Sequence, residues 1–354
     1  MINRFQHTKT RPRNVFAGVL WFPSQGGHVI SMDRYRFIRV AAGCLLLGST
    51  GTFAQTFPRQ PVRIAVLSPG SNEARSVFTA FRTRLRALGY EEGRDLALVF
   101  YFAKGLDALE PLARVIARES FDVVLADGRF AAQAMHSISR TIPIVAVAGE
   151  PVASGLAASL ARPGSNVTGV STMSVDLGRK GIEIMREILP GARRIGIIGP
   201  SVLPPPTYRA LEAGAAALKV KLRHIIIRTE VDAERELAPA AIANVDGLVL
   251  PANAIIGGLI ATLIRLINAA AKPAIFGDRD SVAGGGLAFY GFDIDEAFRL
   301  CATVVDRLLK GANPATTPFE QPTRIALVLN LQTARTLNLK FPPSLIARAD
   351  ELIQ

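Results

Sequence analysis

Polar side chains stand near the carboxyl ends of several predicted strands, where open α/β sheets bind their ligands. The hydroxyl groups of Ser68 and Ser71, with backbone amides at a helix start, can hold a carboxylate. Asp127 and Glu150 can receive an ammonium group, and Arg279 can pair with an acid. This mixture of donors and acceptors fits the binding of an amino acid or another small polar solute.

The remaining candidates lie in the second half of the chain. Ser201, Asn253 and Asp278 each follow a predicted strand, and Tyr290 offers a flat apolar wall with a polar tip. The full set of predicted ligand-binding residues is Ser68, Ser71, Asp127, Glu150, Ser201, Asn253, Asp278, Arg279 and Tyr290.

Seven of these nine candidates also fit a purely structural role, and the sequence leaves both interpretations open. The structural roles are helix N-caps for Ser68, Ser71 and Asp127, a turn for Asn253, a solvated carboxylate for Glu150, an ion pair with Asp278 or Asp280 for Arg279, and a core position for Tyr290.

The sequence argues against catalysis, cofactors and metal binding. Beyond residue 55 the histidines are His136 and His224, and neither has a second ligand at metal spacing. The chain lacks a G-x-S-x-G elbow and a G-x-x-x-x-G-K-[ST] loop. The glycine run at 284–286 precedes a strand, so it is a poor phosphate cradle. We therefore expect no enzyme activity.

Strands alternate with helical patterns in the first half of the chain beyond residue 55. The predicted strands are Arg63–Leu67, Leu96–Phe102, Asp122–Ala126 and Ile142–Val147. This alternation indicates a parallel sheet with right-handed crossovers. Continuous apolar runs indicate that both faces of the sheet are covered.

The alternation restarts after the turn-rich stretch LARPGSNVTGVST at 160–172. The second set of predicted strands is Arg194–Ile198, Leu222–Ile227, Gly247–Leu250 and Ala274–Phe276. The tail is predicted to hold a strand (Gly286–Tyr290), a helix (Glu296–Leu309), a strand (Ile325–Leu329) and a final helix (Ser344–Ile353). We expect it to return to the first set and cross again, which gives a hinge and a cleft.

Four segments carry a resemblance to a known family. They are LARPGSNVTGVST, ILPGARRIGII at 188–198, GGGLAFYGFD at 284–293, and the long block from LLKGANPATTPFEQ to LIARADELI at 308–353. Over residues 62–353 the chain resembles the ABC transporter substrate-binding proteins related to tryptophan/tyrosine-type binding proteins. Two positions depart from the family pattern: Glu150-Pro151-Val152 replaces the usual Asp-Pro-Val, and Asp127-Gly128-Arg129 replaces small or hydroxyl residues.

The resemblance implies the type I periplasmic binding protein fold, an α/β fold with two Rossmann-like lobes joined by a multi-strand hinge. We expect an N-terminal lobe of residues 60–168 plus 291–318 and a C-terminal lobe of 169–290 plus 325–354. The lobes would close on a small solute, and the closed form would be recognised by membrane permease subunits. The resemblance also implies a monomer, and a periplasmic binding role in which no bond is made or broken.

The net charge of +12 does not indicate nucleic-acid binding. Residues 1–54 hold seven basic residues and one acid, and the rest of the chain holds 34 basic and 28 acidic residues. The basic residues of that larger part are interspersed with acids, as on a solvated surface.

The N-terminal region predicts export. Residues 32–55 contain a basic segment, an apolar run too short to span a bilayer comfortably, and a small-residue cleavage site, the layout of a secretory signal. An uncleaved membrane anchor is the alternative. Residues 1–31 are interpreted as an upstream extension or a misassigned start. The apolar run follows Cys44, so we do not expect a lipid anchor.

Two other functions share parts of this description. An extracytoplasmic sensor for a signalling partner would use the same fold, and an α/β enzyme would need catalytic residues that the sequence lacks.

Overall fold

The computed structural model describes residues 61–69, 75–201 and 204–354. The predicted upstream extension, the predicted secretory signal and Ser71 lie outside the described residues.

The first lobe is built on a parallel sheet of five strands within the described residues, in the order β2-β1-β3-β4-β5. The strands β1, β3 and β4 are rich in Val, Ile, Leu and Ala, and their central residues are buried because helices cover both faces. The strands are β1 (Val62–Ser68), β2 (Leu96–Phe102), β3 (Val123–Asp127), β4 (Ile144–Ala148) and β5 (Val167–Ser171).

The second lobe holds a sheet of seven strands in the part of the chain that is described, in the order β12-β11-β10-β9-β8-β6-β7. β11 runs antiparallel to β10, and the other neighbouring pairs are parallel. The strands are β6 (Arg194–Gly199), β7 (Lys221–Ile226), β8 (Gly247–Leu250), β9 (Ala274–Phe276), β10 (Ala288–Phe292), β11 (Ile325–Asn330) and β12 (Glu351–Ile353).

Helices connect the strands and cover the sheets. They are α1 (Ser76–Ala87), α2 (Leu109–Arg118, preceded by a 3₁₀ turn at Leu106–Ala108), α3 (Arg129–Ile138), α4 (Ser174–Ile188), α5 (Pro205–Ala217), α6 (Glu230–Glu236), α7 (Ala254–Gly258), α8 (Ile260–Ala269), α9 (Asp280–Ala283), α10 (Ile294–Leu309), α11 (Leu331–Thr336) and α12 (Pro343–Ile346). None of these described helices combines the length and apolarity that a membrane span requires.

A helix from late in the chain completes the core of the first lobe. Apolar residues recur along α10 at helical spacing and pack against α1 and the first sheet. Phe298 meets Phe78 edge to face, with ring centroids 5.7 Å apart, and both side chains are fully buried. The core of the first lobe therefore depends on Phe298, which lies 220 positions after Phe78 in the chain.

The expected hinge connections are present in the described residues. The chain leaves the first sheet after β5, returns to the first lobe as α10, and crosses again before β11. The last of these connections runs along β5: Glu320 N donates to Gly169 O, and Ser171 N donates to Glu320 O, each at 2.8 Å. The Thr168 hydroxyl donates to Thr317 O at 2.8 Å.

Two expectations need correction. β5 belongs wholly to the first sheet, so the crossing follows Ser171 and the expected boundary at 168/169 lies too early. The predicted final helix is also wrong, because the helix ends at Ile346 and Glu351–Ile353 form a strand beside β11. Asp350 fixes this arrangement, since its Oδ2 accepts a hydrogen bond from Leu327 N at 2.8 Å.

Asn166 supports the start of β5 from within the turn-rich stretch. Its Nδ2 donates to the carbonyls of Ser139 and Ile142 at 2.9 and 2.7 Å. Its Oδ1 therefore faces His136 Nδ1 as an acceptor at 2.7 Å, and Arg140 Nη1 contacts the other ring nitrogen, Nε2. Both nitrogens of a neutral His136 are thus used, and burial lowers the pKa of the ring.

Candidate functional site

A cavity of about 290 Å³ lies between the two lobes, at the carboxyl ends of strands from both sheets. The first lobe contributes the ends of β3 and β4 and the start of α1. The second lobe contributes mainly apolar surface, which includes Ile197, Ile198, Leu250, Ile255 and Ile256. The second-lobe side of the cavity is therefore mainly apolar but also carries the polar residues Ser201, Asn253 and Asp278.

Asp127 holds an arginine at the edge of this cavity. Its carboxylate Oδ2 accepts hydrogen bonds from the Ser68 hydroxyl at 2.8 Å and from Arg75 Nη1 at 2.5 Å. The contact with Ser68 follows from the parallel register of β1 and β3, which ends both strands side by side. The Asp127 side chain is 3% exposed and that of Arg75 is 20% exposed. This geometry fixes a guanidinium group at the first-lobe wall.

Glu150 joins the end of β4 to the helix that enters the second lobe. Its Oε1 accepts hydrogen bonds from Val175 N at 3.0 Å and from the Ser174 hydroxyl at 3.3 Å, at the first turn of α4. A carboxylate at a helix N-terminus satisfies free N–H groups and complements the helix dipole. Burial nevertheless raises the pKa of Glu150, and the hydrogen bonds from Val175 and Ser174 oppose that rise.

A direct hydrogen bond crosses the cleft. Arg129, the first residue of α3 in the first lobe, donates from Nη2 to the hydroxyl of Ser201 in the second lobe at 2.5 Å. The guanidinium carbon of Arg129 also lies 4.2 Å from the ring centroid of Phe130. Burial lowers the pKa of Arg129 from its ordinary value, but an arginine remains charged.

Asp278 is the more buried of two acidic residues on the second-lobe wall, the other being Asp280. Its Oδ1 accepts a hydrogen bond from Asp280 N at 3.0 Å, and burial raises its pKa above the usual 3.8. A Cβ atom built on Gly257 would lie 3.8 Å from Asp278 Oδ2 and 3.9 Å from Arg75 Nη2. Groups of opposite charge from the two lobes therefore flank the same point of the cleft.

Comparison with known proteins shows which family this chain matches. The family model described as ABC transporter substrate binding protein matches residues 63–353. A tyrosine-binding protein of Clostridioides difficile (strain R20291) is 23% identical over 273 residues, which cover 73% of this chain and 76% of that protein.

The chain belongs to the ABC transporter substrate-binding proteins.

Solved structures agree on the fold of this substrate-binding protein. A conserved domain protein from Vibrio cholerae superposes with a TM-score of 0.75 at 26% identity, over 83% of this chain and all of that chain. An ABC domain from Streptococcus pneumoniae, solved in complex with L-Trp, gives a TM-score of 0.74 at 21% identity over the same shares. The prediction of a two-lobed α/β binding protein is confirmed, and the family consists of binding proteins, not enzymes.

Five of the predicted residues of this substrate-binding protein line the cavity, and two of them have a defined structural role there. The five are Asp127, Glu150, Ser201, Asn253 and Asp278. Glu150 caps α4, as described above. Asn253 is the N-cap of α7, since its Oδ1 accepts a hydrogen bond from Ile256 N at 2.9 Å. Ser68 does not line the cavity, but it holds Asp127 in place.

The structure places two predicted residues, Arg279 and Tyr290, away from the lining of this cavity. Arg279 is not among the residues that line the cavity, because its half-exposed guanidinium pairs with Glu351 of β12. Tyr290 packs against the core of the second lobe and lines a separate void of about 10 Å³, as an aromatic residue in a strand commonly does. Burial raises the pKa of the Tyr290 phenol.

Sequence reasoning missed several cavity residues. They are Arg75, Arg129, Ser174 and His224. Arg129 directly follows a candidate strand end, and Arg75 precedes α1, so both could have been found as cations beside the predicted acids. His224 lies within β7, and a rule based on strand ends cannot find it. Among the described residues no cluster of three or more His, Cys, Asp or Glu could hold a metal ion.

Proposed function

We propose that this substrate-binding protein serves an ABC importer, binds a free amino acid with a large apolar side chain between its lobes, and delivers it to the permease. Ligand contacts to both lobes favour the closed state, which is the form offered to the membrane subunits.

The observation that carries the proposal is the position of Arg75 and Asp278, which come from different lobes and flank the same point of a largely apolar cavity. An amino acid brings a carboxylate and an ammonium group that lie close together. Arg75 is already oriented by Asp127 and suits the carboxylate, whereas Asp278 suits the ammonium group. Because the two groups come from different lobes, one zwitterion links both lobes.

The size and lining of the cavity support a large apolar side chain. A cavity of about 290 Å³ stands at the lower end of the range of roughly 300–1,000 Å³ for small-molecule pockets, so it fits one small molecule. Its second-lobe wall offers isoleucine and leucine side chains, which gain free energy by covering apolar ligand surface.

Two relatives agree with this ligand class. The Clostridioides difficile relative is a tyrosine-binding protein, and the Streptococcus pneumoniae structure contains L-Trp. Both ligands are amino acids with large, mainly apolar side chains, which is the combination that the cavity favours.

Binding is tested by thermal shift and calorimetry on purified protein freed of co-purified ligand. The panel contains the standard L-amino acids, sugars, polyamines and purines. A ligand that binds only the folded state adds about 2.7 kcal/mol of stability at a hundredfold excess over Kd. We expect saturable binding of an aromatic or large aliphatic amino acid, whereas binding of only a sugar, polyamine or purine would refute the proposal.

Truncated analogues test the zwitterion contact. Tryptamine lacks the carboxylate of tryptophan, and indole-3-propionate lacks its ammonium group. Each analogue would leave Asp278 or Arg75 without its partner, so we expect each to bind at least about tenfold more weakly than tryptophan. Equal affinity for all three would show that the charged groups do not recognise the amino-acid head.

Delivery and location are tested in cells. The secretory signal proposed at 32–55 predicts a location outside the cytoplasm, and a cell fractionation experiment checks this. Uptake of the radiolabelled amino acid should fall when the gene is deleted and return when it is restored. Unchanged uptake, with a ligand-dependent signalling response instead, would favour a sensor.

A further inference from the structure

His224 stands out among the residues that line the cavity. Its Nε2 is the one buried side-chain nitrogen or oxygen without a hydrogen-bond partner in the described part of the chain. Buried polar atoms are nearly always paired, because an unpaired one loses its hydration without compensation. The position of this atom in a ligand-binding protein therefore needs an explanation.

The surroundings of His224 form an apolar arm of the cavity. In the parallel pair β6–β7, His224 lies opposite Ile197, so both side chains stand on the face covered by α5. Leu211 of α5 lines the same arm. Tyr208 of α5 packs on the imidazole ring with a centroid distance of 4.5 Å and is not a lining residue. The imidazole is thus the polar group between apolar walls.

The charge state of His224 suits recognition of a neutral polar atom. Burial lowers its pKa, and exposed Glu212 opposes that effect from α5. The Tyr208 hydroxyl is hydrogen-bonded to Glu212. A neutral imidazole offers one N–H donor and one nitrogen acceptor, so it can pair with a phenol hydroxyl or an indole N–H.

We infer that His224 is a specificity-determining residue that hydrogen-bonds a polar atom on the ring of an aromatic amino acid. The inference rests on the proposed function, because it takes the amino-acid head to lie at Arg75 and Asp278. Neighbouring protein atoms cover Nε2 of His224. A 180° flip of the imidazole about the Cβ–Cγ bond exchanges the positions of Nε2 and Cε1, and the ring stays packed on Tyr208. The ligand ring then enters the arm beside Ile197 and Leu211.

The test compares ligands that differ in one polar atom. Calorimetry gives the Kd ratio of phenylalanine to tyrosine, and of 1-methyltryptophan to tryptophan, for the wild type and for His224→Phe. We expect the wild type to prefer at least one polar-ring ligand by about tenfold, and His224→Phe to reduce that ratio to about one. His224→Asn, which keeps hydrogen-bonding capacity, provides a second variant if His224→Phe does not fold.

Tyr208→Phe is the matched control. It removes a hydroxyl group next to the imidazole but leaves the cavity lining intact, so the wild-type ratio should persist. An unchanged ratio in His224→Phe, or no preference in the wild type, would overturn the assignment of His224. Failure of the wild type to bind any amino acid would instead overturn the proposed function, and this inference with it.

Discussion

Arg129 of the first lobe and Ser201 of the second lobe are joined by a hydrogen bond of 2.5 Å across the cleft. The bond connects residues 72 positions apart, and both line the cavity. Arg129 directly follows Asp127 and Gly128, so the same loop that anchors Arg75 also reaches the opposite lobe. One loop of the first lobe therefore contacts both Arg75 and the second lobe at the candidate site.

Ser201→Ala should weaken ligand binding by about three- to tenfold. The variant removes the Ser201 hydroxyl that accepts a hydrogen bond from Arg129. A partly exposed hydrogen bond to a charged group contributes only a modest free energy. Calorimetry measures the affinity. Small-angle scattering without ligand should show a larger radius of gyration for Ser201→Ala than for the wild type. Ser137→Ala, at an exposed position on α3, is the control and should match the wild type. Unaltered affinity and radius in Ser201→Ala would contradict a role in closure.

Asp278 should make ligand affinity dependent on pH. Its pKa is raised by burial and by Asp280 and Asp295, while Arg75 opposes the rise, and only the ionised carboxylate attracts an ammonium group. Ligand affinity should therefore fall as the pH drops toward the pKa of Asp278, which lies above the ordinary 3.8.

Asp278→Asn should bind at least about tenfold more weakly at pH 7.5 and should show a flatter pH profile. Some dependence should remain, because burial also raises the pKa of Glu150. Calorimetry between pH 7.5 and 4.5 provides the comparison, with Glu234→Gln at an exposed position on α6 as control. Identical profiles for Asp278→Asn and the wild type would rule out ammonium binding at Asp278.

His136 should make the folded state less stable in mild acid. Its pKa in the folded state lies below the ordinary 6.5, so the unfolded chain takes up the proton first as the pH falls. The stabilising contribution is complete above pH 6.5 and is lost as the pH falls through the folded-state value. Urea unfolding at pH 7.5 and 5.0 should show a smaller pH effect for His136→Gln than for the wild type. Equal pH effects would mean that protonation of His136 does not control stability.

Gly169 should not tolerate a side chain. Its φ is +143°, and a Cβ atom there would lie 2.1 Å from Ala146 O on the neighbouring strand β4. Gly169→Ala should therefore lower the free energy of unfolding by about 3 kcal/mol or more, because the backbone of β4 must move. Gly191→Ala is the control, since a Cβ there meets nothing within 4 Å. Urea unfolding of both variants provides the test, and similar values would contradict the close approach.

The alternation of strands and helices predicted the two lobes because each buried strand is a continuous apolar run with turn residues at its end. It failed for Glu351–Ile353, where Leu352 and Ile353 fit a helix as well as a strand. Pairing with β11, far along the chain, decides the outcome there, and local pattern does not contain that information.

The candidate site was predictable where it depends on strand ends. Asp127 and Asp278 follow from the parallel topology, since the sequence alone places them at carboxyl ends. Arg279 directly follows Asp278, but its guanidinium pairs with Glu351 instead of facing the cavity. Its direction is set by β12, whose position the sequence did not reveal.

The position of α10 late in the sequence has a consequence for the newly synthesised chain. Residues 62–171 contain every strand of the first sheet, yet the helix that covers one face of it ends at Leu309. A chain interrupted before Ile294 would leave apolar residues such as Phe78 and Val145 without their packing partners. The amino-terminal half therefore cannot complete its core until most of the protein has been synthesised.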